Sequence, residues 1–184
     1  MKKCFFYILF LLPLYGHAQS ETTSSLEQVY PKANMKHVYG SVVRSVVKMV
    51  PNERLMKLVR HIELVVYGRF DLDSVPQARV QFEKMKRSLR QEDFEALLSQ
   101  QGLGGLARLQ QALSDVGLYA KIDETDVSAL VLFRRNDKQL EFLDLSGEIR
   151  FSDFSAADVS AIFQLFETVR GGNLLNRLGA DNDS

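Results

Sequence analysis

The sequence predicts an α+β domain, an antiparallel sheet of about four strands with helices packed on one face. Two patterns predict it. Segments 61–70 (HIELVVYGRF), 127–133 (VSALVLF) and 140–151 (LEFLDLSGEIRF) are short, rich in β-branched and aromatic residues and largely alternating, as strands are. Between and after them, apolar residues recur at helical spacing, most regularly at Val159, Ile162, Phe163, Phe166 and Val169. A polar turn joins the last two strand segments, which implies an antiparallel meander.

The elements follow in chain order. Residues 1–18 (MKKCFFYILFLLPLYGHA) carry Lys2 and Lys3, then an apolar run from Cys4 to Tyr15, then Gly16 and Ala18. That is the layout of a cleaved secretory signal, with Gln19 as the expected mature N-terminus. The run is well short of the roughly 20 residues that span a bilayer, and Pro13 interrupts it late. Residues 19–34 are polar and Ser/Thr-rich with Pro31, and read as a loosely packed leader onto which Leu26, Val29 and Tyr30 could fold back. The single domain is expected over 35–170 and a loose tail over 171–184.

Within the domain, Val38, Val42, Val43, Val46, Val47 and Val50 make one helical stripe, stopped by Pro51 and Asn52. Residues 53–60 add a short helical turn. The strand from His61 to Phe70 ends in a turn at 71–74, where Asp73 or Ser74 caps a helix with Pro76 in its first turn. This helix is expected to reach about Gln100, with a break near Gln91, burying Val80, Met85, Leu89, Phe94 and Leu97. Gly102, Gly104 and Gly105 interrupt it before a shorter helix over 106–115. A strand through Leu118, Ala120 and Ile122 opens the meander, and Gly147 marks a bend or bulge in its last strand. Ser155 and Asp158 resemble a capping box for the final helix, which Gly171 and Gly172 end.

Composition excludes several classes of function. Of 23 Lys plus Arg and 23 Asp plus Glu, the signal takes only Lys2 and Lys3, leaving a net charge near −2 over 166 mature residues. There is no basic stripe for nucleic acid and no polybasic segment for anionic lipid. The one cysteine, Cys4, leaves with the signal, so the mature chain has no disulfide, thiolate ligand or cysteine nucleophile. No second apolar run reaches spanning length, so no stable membrane insertion is expected after cleavage.

Residues 143–154 (LDLSGEIRFSDF), preceded by VLFRRNDKQLEFL and by the early VYGSVVRSVVKMVP, resemble a family of small secreted Bacteroidetes envelope proteins catalogued only as a domain of unknown function (DUF4252). The resemblance covers roughly 35–166. It implies a periplasmic or outer-envelope location in a Gram-negative bacterium and carries no catalytic residues over. Many such proteins bear a lipoprotein cysteine, which this chain lacks, so the resemblance does not extend to a lipid anchor.

Chemistry-bearing constellations are sparse. His61 and Glu63 fall on one face of a strand and are the candidate metal ligands, with Asp71 or Asp73 as the nearest third; a solvent-facing polar pair is the more economical reading. His37 and Ser41 share a helical face but lack the G-x-S-x-G elbow of a hydrolase. Asp144, Glu148 and Asp153 could supply a glycosidase pair, yet Asp144 alternates with Leu143 and Leu145 and reads as the polar face of a half-buried sheet. Residues 102–105 lack the lysine of a phosphate loop. Arg134 and Arg135 at a hairpin tip could meet an acidic partner, or simply solubilise the turn. The expectation is a non-enzymatic binding or sensing protein, without catalytic residues or cofactor, that meets an envelope protein or ligand through its exposed sheet face or hairpin tips. The alternative is a periplasmic hydrolase or metal-dependent enzyme using His61 and Glu63.

Overall fold

The structure is a computed structural model that describes residues 20–30, 34–48, 52–97, 115–123, 126–149 and 156–171. The elements are α1 (Glu21–Val29), β1 (Asn34–Tyr39), α2 (Gly40–Val47), α3 (Glu53–Val59), β2 (Ile62–Asp71), α4 (Val75–Gln91), β3 (Phe94–Ala96), β4 (Val116–Asp123), β5 (Asp126–Asn136), β6 (Gln139–Ile149) and α5 (Ala156–Arg170). The α+β class holds, with an all-antiparallel sheet of six strands in the order β1-β2-β6-β5-β4-β3. The expected four strands gain one at each edge.

Helices cover both faces of this sheet, which corrects the one-face expectation. On one face, α2, α3 and α5 pack through Val43, Val47, Leu55, Val59, Ile162 and Phe166 onto Val65, Tyr67, Leu130, Leu132, Leu143 and Leu145. On the other, Leu26 of α1 and Ala78, Phe82, Met85 and Leu89 of α4 pack onto Val66, Phe70, Val131, Phe133 and Phe142. Aromatic rings tie this second face together: Phe82 meets Phe133 at 5.0 Å and Tyr30 meets Phe70 at 5.3 Å between centroids. Strands β5 and β6 lie at the centre and are apolar toward both layers, as strands sandwiched between helices must be.

Local signals explain most elements. Ser74 caps α4, its hydroxyl accepting from the Gln77 N–H, with proline in the first turn as expected. Asn52 caps α3, accepting from the Leu55 N–H. The valine stripe from 38 divides: Val38 and Tyr39 end the edge strand β1, and only Gly40–Val47 is helical. β-branched residues favour the strand once β2 offers it a partner. Helix α4 ends at Gln91 and the chain then enters strand β3, so Phe94 packs from a strand; Val80 is exposed, and Ala78 and Phe82 take the core positions. The residues read as a loose leader hold helix α1, with Leu26 buried. The signal segment and Gln19, the Gly102–Gly105 run and, except for Asp115 in the turn before β4, the helix expected over 106–115, the Ser155 cap and the tail beyond Gly171 lie outside the described residues.

Gly147 is a bulge, as its placement suggests. It pairs with Ile62, the β2 register shifts between Ile62 and Leu64, and its φ is +136°. A Cβ there would sit 2.4 Å from the His61 carbonyl oxygen. Gly147→Ala is therefore expected to cost at least about 2 kcal/mol, from left-handed strain plus the clash, read as a lowered urea midpoint with an unchanged slope.

Candidate functional site

Strand β6 carries two buried acids three residues apart, and the pleat sends them to opposite faces. Their surroundings differ. Glu141 faces the α5 layer, where Arg134 donates to one of its oxygens through Nη2 at 2.7 Å and Nε at 3.3 Å. The other oxygen accepts from the Tyr67 hydroxyl at 2.9 Å and Arg170 Nε at 3.1 Å. Arg134 and Arg170 also reach Glu167, and the Arg134 guanidinium lies over the Phe166 ring. Burial pushes the Glu141 carboxyl upward, but the Arg134 and Tyr67 hydrogen bonds and both guanidinium charges outweigh it and hold it below the usual range. This acid is fully partnered and clamps α5 to the sheet.

Asp144 faces the α1–α4 layer, 1 % exposed, between Val66 and Val131 on the flanking strands. Its Oδ2 accepts from the Ser20 N–H at 3.0 Å and the Thr23 hydroxyl at 2.6 Å. Its Oδ1 is buried and has no hydrogen-bond partner. Burial pushes the carboxyl up to about 6, against the pull of the Thr23 and Ser20 donors and with the Glu92 charge adding to the rise. Among the described residues Asp144 is the carboxyl raised strongly by burial, and it anchors the start of α1 through one oxygen while the other is left unpaired.

Both oxygens of a second carboxylate grip the same helix end. Glu92, the residue following α4, accepts from the Glu21 N–H at 2.8 Å and the Thr22 N–H at 2.7 Å, and from the Thr22 hydroxyl. Ser20 Oγ accepts from the Thr23 N–H at 3.2 Å. The first-turn N–H groups that an α-helix leaves unpaired are thus met by two acids from distant parts of the chain and one cap. Beside this junction a cleft of about 330 Å³ is lined by Ser20, Glu21, Gln91, Glu92, Asp93, Phe94 and Lys121. Asp93 takes a left-handed φ of +63°, a conformation aspartate tolerates at a helix end.

The residues singled out from sequence fare differently. His61 lies in the turn before β2 and Glu63 at the bulge beside Gly147; both are exposed, as are Asp71 and Asp73 at the far end of the strand. Among the described residues no group of three or more His, Asp and Glu side chains could hold a metal ion. His37 sits in β1 and Ser41 in α2, so they do not share a helical face. Asp144 is buried under α1 rather than on a polar sheet face, because both faces are covered. Glu148 is exposed, and Asp153 lies outside the described residues. Arg134 and Arg135 are not a free hairpin tip: the turn is at Asp137 and Lys138, Arg134 is held by Glu141, and Arg135 by Asp115. The exposed sheet face expected to meet a partner is taken up by helices. Among the described residues the large exposed apolar side chains, Val29, Tyr39, Val75, Val80 and Ile122, are spread over α1, β1, α4 and β4.

Sequence reasoning missed the Asp144–Glu92–α1 junction. The available signal was the apolar character of β5 toward both sides, which demands helices on both faces and so a buried position for Asp144. Comparison with protein-family models, curated proteins and solved structures finds no match to this chain. No described helix is long and apolar enough to cross a membrane.

Proposed function

We propose that the chain is an exported, non-enzymatic binding or sensing module of the Gram-negative cell envelope, as its leader and its resemblance to secreted Bacteroidetes envelope proteins suggest. Its ligand seat is the cleft where the start of α1, the end of α4 and β4 meet. The observation that carries this reading is Asp144, a buried carboxylate with one unpaired oxygen beneath the helix that walls the cleft. A buried carboxyl left under-satisfied costs stability, and such sites are enriched in function. With Glu21, Glu92 and Asp93 against Lys121, the lining favours a ligand that brings a positive group.

Two measurements test the proposal. Intact mass of the protein recovered from an envelope fraction is expected to show loss of residues 1–18; a cytoplasmic protein retaining Met1 contradicts export. Titration of the ¹⁵N-labelled protein with a panel of small organic amines and carboxylates is expected to move the Glu21, Glu92, Asp93 and Lys121 amides with the amines. Shifts scattered over the surface, or none, contradict the cleft as a seat.

A further inference from the structure

We infer that α1 is a strap whose docking on the sheet is controlled by the protonation of Asp144. The geometry supplies the coupling. Of α1, only Leu26 is a buried apolar side chain, with Tyr30 just beyond packing its ring on Phe70; Val29 is 65 % exposed. The helix is otherwise held by its first turn, through the bonds of Ser20 and Thr23 to Asp144 and of Glu21 and Thr22 to Glu92. When α1 is docked, Asp144 is sealed from water with one oxygen unpaired; when it lifts, the carboxylate meets solvent. Desolvation penalises the ionised form alone, so the docked state binds the proton more tightly than the lifted state.

The sign follows. Acid favours docking, and ionisation of Asp144 weakens it as pH rises through about 6, the value to which burial raises this carboxyl. The surrounding charges are few. Glu92 at the end of α4 opposes ionisation of Asp144, Glu21 of α1 and Lys121 of β4 line the adjoining cleft, and the cross-strand neighbours Val66 and Val131 carry no charge. In a chain cleaved after residue 18, the α-ammonium of Gln19, one residue before Ser20, favours ionisation and reduces the coupling. The two donors on Oδ2 favour the carboxylate and set a limit on the coupling, since they are lost when the helix lifts. Ser20 and Glu21 are themselves walls of the cleft, so lifting α1 opens it. The coupling holds whether or not the cleft takes a ligand, and its test uses none.

Amide hydrogen exchange on the purified protein between pH 5 and 8, corrected for intrinsic rates, reads the strap directly. Protection of the α1 amides is expected to fall about tenfold relative to β5 and β6 over that range, nearly all of it between pH 5 and about 6.5 and level above, because the docked and lifted carboxyls differ in charge only below about 6. D144N, which cannot ionise, is expected to show no such fall. T23V keeps the acid but removes a donor to its charged form, and is expected to move the midpoint upward. Wild-type α1 protection that is flat from pH 5 to 8, a fall as large in D144N, or a T23V midpoint that moves downward would overturn the inference. T23V keeps the test decisive should D144N fail to fold.

Discussion

Replacing Glu141 with alanine is expected to remove about 3 kcal/mol of folding stability, the low end of the cost of breaking a buried ion pair. In a chain of this size that lowers the melting temperature by on the order of 10 °C. The loss has a physical address. Arg134, Arg170 and the Tyr67 hydroxyl all converge on this one carboxylate, which is 1 % exposed, and α5 is tied to the sheet through them. Without it the guanidiniums keep only Glu167, which is half exposed, and the Tyr67 hydroxyl has lost its acceptor. Chemical denaturation of E141A against wild type measures the difference; a loss below about 1 kcal/mol would mean that the network contributes no more than a surface pair.

The second large effect is the opposite response of the two acids to pH. The Glu141 carboxyl is held low in the folded state, so its contribution is present above the ordinary carboxylate range and is lost as pH falls through its own lower value. The Asp144 carboxyl is raised from 3.8 to about 6, so the folded state takes up the proton first. Its contribution is full below about 3.8 and is lost as pH rises through about 6. A shift of this size amounts to about 3 kcal/mol between those limits. From this pair, stability measured by urea midpoint is therefore expected to be level from pH 8 to about 6.5, to rise as pH falls towards about 4, and to fall again in stronger acid as Glu141 takes up its proton. In D144N the rise is expected to vanish, so that the stability of the variant relative to wild type improves by about 2–3 kcal/mol between pH 4 and pH 8. Because this is a difference across pH, any fixed cost of burying the amide cancels. A relative stability that does not change with pH contradicts a raised Asp144.

Much of the scaffold is legible in the residues. The existence of strand β2, the Ser74–Pro76 start of α4, the bulge at Gly147 and the stripe of α5 each follow from short-range rules. What short-range rules do not supply is which side of a strand gets covered. Asp144 between Leu143 and Leu145 is the pattern of a polar outer face, and it is buried only because α1 and α4 arrive from 124 and more than 50 positions away. Residues 19–34 look like a leader because Ser20, Thr22 and Thr23 are polar, yet these residues are buried and serve as the donors that meet Asp144 and Glu92. Glu141 is hidden for a similar reason, since its partners come from β2, β5 and α5. Polar atoms that satisfy one another over long sequence separation leave no periodic trace in the chain.

The junction beneath α1 turns on the ionisation of one side chain, Asp144. A ¹³C-detected NMR titration of the Asp144 carboxyl carbon, assigned by its disappearance in D144N, measures that ionisation in the folded protein. A midpoint near 6 is the result the buried, half-satisfied carboxylate predicts. A midpoint near 4, the ordinary value for an aspartate in water, would contradict it and with it the role of Asp144 beneath α1.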